Sequence, residues 1–400
     1  MDSPALEVLK GTSLNHGIES AKRNAGSPYM RTNTKMKKNT NTVARIGIDT
    51  SKSSFQLHAV DRGGKVVFRR TLSRAALLSF MAQQPSCEVG MEACSGSHYW
   101  GREFIKLGHD VKLIAPQFVK PFVQGNKTDA ADAAAIVEAM SRPHMRFVPI
   151  KSAEQQQVLM IHTTRQRLVK NRTMTINSLR GLLGEYGFVF SKGRSGLRGR
   201  IQELLMDSSV HWQGIPPLAR QLFASLLGEW FDLDARIKDL ETILKEYAAS
   251  NDACQRLRTI PGIGLIIATA MVGHVGNAQH FKSGRHLASW LGLVTKQHST
   301  GGKERLLGIS KRGDTYLRSL IVHGARATMS AAERFTKNTT SPVMNWAKAV
   351  KERRGYNRAV VALANKTARI IWALLRNPEA RYDATYTPER FRRLASVQLA

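Results

Sequence analysis

The sequence predicts an α/β domain in the N-terminal third of the chain and a mostly helical remainder. Between residue 43 and about residue 115, short apolar runs rich in Val, Ile and Phe alternate with turns or helical segments. Beyond residue 152, apolar residues recur at helical spacing over long segments, with Arg and Lys on the other face. This change in the spacing of apolar residues divides the chain into an α/β part and a mostly helical part.

The composition predicts a partner that carries negative charge. The 400 residues include 60 Lys and Arg against 30 Asp and Glu, which gives a formal charge of +30, and 42% of them are hydrophobic. A chain of this length can bury more than one core, and its charge favours nucleic acid. Charge alone fits a basic protein that merely binds polyphosphate equally well, so other residues must decide the function.

The cysteine pattern and the hydropathy exclude several classes of protein. Cys87, Cys94 and Cys254 lack the paired spacing of zinc ligands and the density of a secreted disulfide framework. The sequence also contains no run of about 18 apolar residues and no compact export signal. We therefore expect no zinc site, no membrane association and a cytoplasmic location.

Composition divides the chain into five segments. Residues 1–42 are rich in Ser, Asn, Thr and Lys and predict a disordered basic arm. Residues 43–150 form the α/β domain, and residues 151–250 carry two long amphipathic patterns that predict an antiparallel coiled coil. Residues 251–380 predict a mostly helical domain, and residues 381–400 a tail.

Within the α/β domain, four runs have strand character. They are ARIGIDTSKSSFQLHAVD, GKVVFRRTLS, SCEVGMEAC and HDVKLIAP. SRAALLSFMAQQ predicts a helix between the second and third runs, and GSHYWGREFIKLG predicts a helix that Gly108 ends. NKTDAADAAAIVEAM predicts a further helix after the fourth run.

Two glycine-containing segments interrupt the helical part. FSKGRSGLRGR, between the two long helices, predicts a solvated loop, with nucleic-acid contact as the weaker alternative. In PGIGLIIATAMVGHVG, Gly262 and Gly264 predict a helix-hairpin-helix whose backbone amides approach a phosphate. A purely structural tight turn is the alternative.

Four acidic residues form the most specific pattern. Asp49 and Glu92 each end a predicted strand, whereas Asp129 and Asp132, three residues apart, share one face of a helix. Mg²⁺, for which Mn²⁺ can substitute, prefers carboxylate oxygens, and a metal pair can activate the attacking oxygen in phosphodiester transfer. Taken alone, Asp49 can be explained as an ordinary turn residue. Asp129 alone can be explained by a favourable interaction with the helix dipole. Together the acids predict a magnesium site that acts on nucleic acid.

A second motif, KQHSTGGKERLLGISKRGD, places the hydroxyl of Ser299 among glycines and cations. These neighbours are Lys296, Gly301, Gly302, Lys303, Arg305, Lys311 and Arg312. A hydroxyl in such surroundings suits a serine that attacks a phosphodiester to form a phosphoserine link. By residue type alone, a phosphate-binding loop is the better interpretation.

The two motifs together resemble the insertion-sequence transposases of the IS110 type, in their IS1111-like subgroup. IGIDTSK is similar to the first Asp motif of that family, GMEACSGSHYW to its Glu motif, and KTDAADA to its last two Asp, with Lys127 and Thr128 completing the third motif. Segments around PGIGLIIATAMVGHVG and YLRSLIVHGARA are similar to the family's transposase domain. The resemblance extends from about residue 45 to about residue 375.

The resemblance implies a ribonuclease H-like, RuvC-like domain that carries the acidic quartet, followed by a serine transposase domain. It implies that Ser299 is the nucleophile and that the acids of another subunit complete its site. Where the family commonly has Ser-Gly or Ser-Ser-Gly-Gly, this chain has Ser299-Thr300-Gly301-Gly302, which leaves Thr300 as a weaker candidate. Lys303 would bind phosphate, and Arg305 and Lys311 would assist it in binding the phosphate.

The resemblance also implies donor and target DNA as partners, a structured noncoding bridge RNA that selects both, and a homodimer or homotetramer. The long helical pair is the expected interface, and an intramolecular helical hairpin is the alternative. Two other functions remain open. One is a RuvC-like junction nuclease that hydrolyses DNA through the acids alone, and the other is a nonenzymatic nucleic-acid-binding protein.

Overall fold

The computed structural model describes residues 42–124, 128–190, 197–206, 214–334 and 341–386. The predicted basic arm before Thr42, the part of the predicted tail after Tyr386, and Lys127 lie outside these ranges.

A six-stranded mixed sheet forms the centre of the N-terminal domain, in the order β3-β2-β1-β4-β5-β6. The strands are β1 (Arg45–Thr50), β2 (Ser54–Val60), β3 (Val66–Ser73), β4 (Glu88–Glu92), β5 (Asp110–Ile114) and β6 (Phe147–Val148). β1, β4 and β5 are parallel to one another, whereas β2, β3 and β6 each pair antiparallel with a neighbour. The predicted α/β class of this domain is confirmed.

Four helices and a 3₁₀ turn complete the part of this domain that the structure describes. They are α1 (Arg74–Ala82), α2 (Ser97–Lys106), α3 (Pro116–Val119), the 3₁₀ turn Lys120–Phe122 and α4 (Asp129–Met140). Alternate residues of the strands, such as Ile48, Leu57 and Met91, pack with α1 and α2 in one buried core. The opposite face of the sheet packs against α4.

The first strand-like run contains two strands, and the first of them ends next to Asp49, as predicted. β1 and β2 pair antiparallel from Arg45 opposite Val60 to Thr50 opposite Phe55. Ser51 stabilises the turn between them, because its Oγ accepts a hydrogen bond from the Ser54 amide (3.1 Å). Short polar side chains thus supply a turn without glycine or proline.

Two long helices follow, α5 (Ala153–Gly184) and α7 (Pro217–Ser250), and the shorter α6 (Leu197–Met206) lies between them in the chain. A capping box begins α5, in which Ser152 and Gln155 bond each other's backbone amides. Arg165 pairs with Glu241, and Arg172 pairs with Asp234. The helices therefore run antiparallel and pack as a hairpin within one chain.

The C-terminal part is mostly helical, as predicted, with one pair of strands that was not predicted. Its elements are α8 (Asp252–Arg258), α9 (Leu265–Val275), α10 (Gly284–Trp290), β7 (Thr295–Gln297), β8 (Leu306–Ile309), α11 (Thr315–Arg334), α12 (Pro342–Arg354) and α13 (Tyr356–Arg376). The helices share one buried core. No helix among the described residues is both long enough and apolar enough to cross a bilayer.

Candidate active site

Two glycines allow α4 to lie directly on the sheet. A Cβ atom on Gly47 of β1 would overlap the backbone carbonyl oxygen of Ala133, and one on Gly90 of β4 would overlap the side chain of Met140. Because side chains alternate along a strand, Asp49 projects from the same face as Gly47, and Glu92 from the same face as Gly90. The glycines thus bring the helix to the face that carries both acids.

Three of the four predicted acids come together at the start of α4. One carboxylate oxygen each from Asp49, Asp129 and Asp132 lies within 4.8 Å of the other two. Asp129 is the first residue of the helix, and Asp132 follows one turn later. The Thr128 hydroxyl caps this turn by accepting a hydrogen bond from the Ala131 amide (3.2 Å). Asp49 and Asp132 are half-buried, and Asp129 is exposed.

Glu92 lies at the same level of the sheet as Asp49, although its carboxylate is outside the group of three. Ile48 pairs with Met91 across the parallel strands, and Asp49 and Glu92 are the next residues on each strand. Glu92 is the last residue of β4 and is half-buried. The fourth acid therefore borders the cluster from the neighbouring strand.

The donor set fits a hard divalent cation. Two oxygens on opposite sides of Mg²⁺, each at about 2.1 Å, would lie about 4.2 Å apart, and the three oxygens of the cluster lie within 4.8 Å of one another. Three carboxylates so close together repel one another, and a cation between them would remove that repulsion. The positive end of the α4 dipole offsets only part of it.

Ser299 lies in the exposed connection between β7 and β8, and this connection also contains Gly301 and Gly302. β7 and β8 pair antiparallel, and all residues from 295 to 308 are exposed. Gly301 and Gly302 have φ values of +54° and +75°, and the Lys303 amide donates to the Thr300 carbonyl (3.0 Å). These values are typical of a two-residue type I′ turn.

The hairpin presents the Ser299 hydroxyl among cations. Gln297 Nε2 donates a hydrogen bond to Ser299 Oγ (2.9 Å). Lys296, Lys303 and Arg305 are exposed on the same hairpin. The predicted nucleophile and three of the predicted phosphate-binding cations thus share one projecting element.

Lys311 and Arg312 belong to the tight turn that joins the hairpin to α11. Lys311 has a φ of +54°, and its amide donates to the Gly292 carbonyl (3.1 Å). A Cβ on Gly292 would overlap the backbone of Arg312, so the two segments are in direct backbone contact. The packing of this turn fixes the base of the hairpin.

The Pro261–Gly264 segment forms the predicted turn between α8 and α9, but its two glycines have different surroundings. Gly262 has a φ of +83°, and a Cβ there would overlap the backbone of Gly324 and the side chain of Thr328 on α11. Gly264 is exposed at the start of α9. The structural-turn alternative therefore accounts for Gly262, whereas the α9 N-terminus at Gly264 stays accessible.

Buried polar side chains join α5 to two helices of the C-terminal part, α9 and α11. His162 of α5 lies between the Tyr316 hydroxyl (2.9 Å) and the Thr269 hydroxyl (3.0 Å). Burial, aided by the charges of His274 and Arg165, lowers the pKa of His162 to about 4. Burial also lowers the pKa of His98, which lies 3.2 Å from Lys151 Nζ, to about 4. Both histidines are therefore neutral at pH 7.

Two family models match this chain. Residues 46–188 match a family model of the DEDD type described as a transposase, and residues 254–339 match the model described as the transposase IS116/IS110/IS902 family. A probable family 20 transposase of Pseudomonas aeruginosa is 48% identical over 334 residues, which cover 83% of this chain and 97% of the relative. The chain belongs to the IS116/IS110/IS902 transposase family.

Two further relatives of the family carry the names of their elements. The transposase for insertion sequence element IS1111A of Coxiella burnetii is 44% identical over 345 residues, or 86% of this chain and 93% of the relative. The transposase for element IS1328 of Yersinia enterocolitica is 39% identical, over 83% of this chain and 96% of the relative. The first matched segment contains the four acids, and the second contains the Ser299 hairpin.

Proposed function

We propose that this transposase cuts and rejoins DNA by the combined action of a metal-binding acidic quartet and a serine nucleophile. The quartet consists of Asp49, Glu92, Asp129 and Asp132, and the nucleophile is Ser299. The observation that carries the proposal is the approach of three carboxylate oxygens to within 4.8 Å of one another in a chain of charge +30. Repulsion among these carboxylates makes a cation at this place favourable.

The topology of the N-terminal domain supports a ribonuclease H-like, RuvC-like fold. Three antiparallel strands, β3, β2 and β1, are followed in the sheet by the parallel strands β4 and β5. Asp49 and Glu92 lie at the ends of adjacent parallel strands, and α4 adds two acids from above. This is the arrangement that the family resemblance implies.

Mg²⁺, or Mn²⁺ in its place, would be held by Asp49, Asp129 and Asp132, with Glu92 bordering the site. Such an ion would polarise a phosphodiester and balance the charge that develops on it. The helix cap that Thr128 provides and the close contact at Gly47 hold the acids in place before the substrate binds. The basic surface of the protein holds the DNA backbone.

Ser299 would attack the phosphorus of the scissile phosphodiester. Its Oγ forms a bond to phosphorus and gives up its proton, one bond from phosphorus to a sugar oxygen breaks, and that oxygen leaves as a hydroxyl. Lys303, with Lys296 and Arg305 beside it, would balance the charge on the phosphate. Attack by a hydroxyl of the second DNA then reverses the reaction and releases the serine.

Two copies of the chain would build each site. Because the Ser299 hairpin is exposed along its whole length, it is accessible to the acids of another subunit, as the family resemblance implies. The basic surface contacts backbones, and pairing with a bridge RNA would supply sequence specificity. The surface of the α5–α7 hairpin that faces solvent is the proposed interface between subunits.

The decisive experiment looks for a covalent link between protein and DNA. Labelled substrate DNA is incubated with wild-type protein and Mg²⁺ and resolved on a denaturing gel. We expect an adduct that Ser299→Ala abolishes and Thr300→Ala retains. The reverse result would move the nucleophile to Thr300. Cleavage by Ser299→Ala at the wild-type rate, without any adduct in the wild type, would favour the junction nuclease.

A separate experiment tests the guide. RNA that copurifies with the protein expressed from its native locus is sequenced, and we expect one structured species encoded beside the gene, with loops complementary to both DNAs. Copurification of random cellular RNA would contradict guided targeting but would leave the serine chemistry intact.

A further inference from the structure

Gln56 of β2 lies beside the acidic site, on the strand next to Asp49. It lies on β2 directly opposite Asp49 of β1, and directly opposite Thr71 of β3. Residues opposite each other in antiparallel strands project from the same face, with Cβ atoms about 5 Å apart. Asp49, Gln56 and Thr71 therefore form a row across three strands, on the face that α4 covers at Gly47.

The amide of Gln56 is anchored from the side away from the acids. The Thr71 hydroxyl donates a hydrogen bond to Gln56 Oε1 (2.9 Å). Since the oxygen of the amide is engaged on the β3 side, its nitrogen is directed away from Thr71, and the next strand on that side carries Asp49.

Electrostatics favour this orientation of the amide over the flipped one. A hydroxyl either donates or accepts, so Thr71 can bond the amide in both orientations. A carboxylate only accepts, so it attracts the amide nitrogen and repels the amide oxygen. The charge of Asp49 therefore favours one orientation of the Gln56 amide, and the hydrogen bond from Thr71 stabilises that orientation.

We propose that, when the metal binds, Gln56 Nε2 donates a hydrogen bond to the Asp49 carboxylate and thereby sets the direction in which Asp49 presents its other oxygen to the metal. Gln56 is a positioning residue, because it acts through Asp49 and not on the DNA. Groups that orient a metal ligand commonly contribute about 10- to 100-fold to metal affinity. This inference rests on the metal site of the proposed function.

The test measures metal binding without DNA and without turnover. Full-length, metal-free protein is titrated with Mn²⁺, and free Mn²⁺ is followed by electron paramagnetic resonance. Gln56→Met keeps the length of the side chain but removes the donor, and we expect it to raise the Kd for Mn²⁺ about tenfold. Gln56→Glu, which replaces the donor with a charge that repels Asp49, is expected to raise it further.

A matched pair at Thr71 tests the anchor. Thr71→Ser keeps the hydroxyl and is expected to bind Mn²⁺ like the wild type, whereas Thr71→Val, which keeps the shape, is expected to bind it more weakly. Thermal unfolding of the metal-free variants shows whether they are folded. If Gln56→Met destabilises the domain, the two Thr71 variants, whose site is exposed, still test the hydrogen bond.

The outcomes separate this inference from the proposal on which it rests. If the wild type binds Mn²⁺ no more tightly than Asp49→Asn, the metal site itself is wrong, and the role of Gln56 fails with it. If the wild type binds Mn²⁺ and Asp49→Asn does not, an unchanged Kd in folded Gln56→Met overturns the inference alone. Equal binding by Thr71→Ser and Thr71→Val likewise overturns the anchoring step.

Discussion

Gly47 of β1 lies so close to Ala133 of α4 that a Cβ atom on the glycine would overlap the backbone carbonyl oxygen of the alanine. Backbone cannot move aside as a flexible side chain can. Since α4 carries Asp129 and Asp132, and β1 carries Asp49, this contact controls the distance between acids that are 80 or more residues apart in the chain.

Gly47→Ala is therefore expected to push α4 off the sheet and to weaken the metal site. Overpacking of this kind costs about 1–3 kcal/mol, and we expect a lower midpoint of thermal unfolding together with weaker Mn²⁺ binding. Gly90→Ala is the matched control, because the atoms nearest to its new Cβ belong to the side chains of Met140 and Ile136 and not to backbone. Equal effects of the two substitutions would contradict the proposed role of the Gly47 contact.

Asp132→Asn is expected to abolish metal-dependent cleavage and strand transfer while leaving salt-sensitive DNA binding largely intact. The amide keeps the shape of the side chain but removes a charge that the metal requires. Asp110→Asn is the control, because Asp110 is an exposed acid of the same domain, outside the cluster, and it pairs with Lys112 (3.4 Å). Gel shifts and cleavage assays measure both properties. Parallel loss of binding and cleavage would indicate a folding role instead.

The turn of the Ser299 hairpin is expected to accept asparagine but not valine. A residue other than Gly with a positive φ costs about 1–2 kcal/mol, and Asn tolerates this conformation best. Gly301→Asn creates the Asn-Gly pair that type I′ turns favour, so strand transfer should persist. Gly301→Val should reduce strand transfer without lowering the midpoint of thermal unfolding. Normal strand transfer by the valine variant would show that the turn geometry is dispensable.

The ion pair between Arg172 and Asp234 is expected to contribute to the packing of α5 against α7. The charged atoms lie 2.8 Å apart, and both side chains are largely shielded from solvent. Charge reversal of either residue should destabilise the protein, and the swapped variant Arg172→Asp with Asp234→Arg should recover part of the loss. A double-mutant cycle by urea denaturation should give a coupling of about 0.5–3 kcal/mol; additive effects of the two changes would show no coupling.

The stability of the protein is expected to fall as the pH falls from about 6.5 to about 4. Burial lowers the pKa of His162 to about 4 in the folded state, whereas the unfolded chain titrates near 6.5. Between these values the unfolded state binds more protons, so acid favours unfolding. His162→Gln removes this group, and its urea midpoint should depend less on pH across that window. An equally steep dependence in the variant would exclude His162 as the cause.

Local patterns of the sequence were sufficient to predict several parts of the site. NKTDAADAAAIVEAM predicts a helix with Asp129 and Asp132 on one face, and the structure has that helix. Alternating apolar residues predict the strands that end near Asp49 and Glu92. In each case the signal lies within about a dozen residues.

Distances between segments could not be predicted, because they depend on packing between residues far apart in the chain. The gathering of Asp49 with Asp129 depends on the contact between Gly47 and the backbone of α4, and the position of Gln56 depends on the register of β1 with β2. The β7–β8 hairpin was missed because its strands are exposed and carry no apolar alternation. The Gly301-Gly302 pair, which favours a two-residue hairpin turn, was the sequence feature that could have predicted this hairpin.

The exposed hairpin also separates two kinds of selection on this chain. Residues 295–308 bury little surface, so replacing them changes the free energy of unfolding of the whole protein only slightly. Selection on substitutions in this segment therefore acts through their effect on DNA cleavage and joining, and not through their effect on folding. Libraries that vary the residues flanking Ser299 should therefore yield mostly folded proteins, and screening them measures chemistry directly.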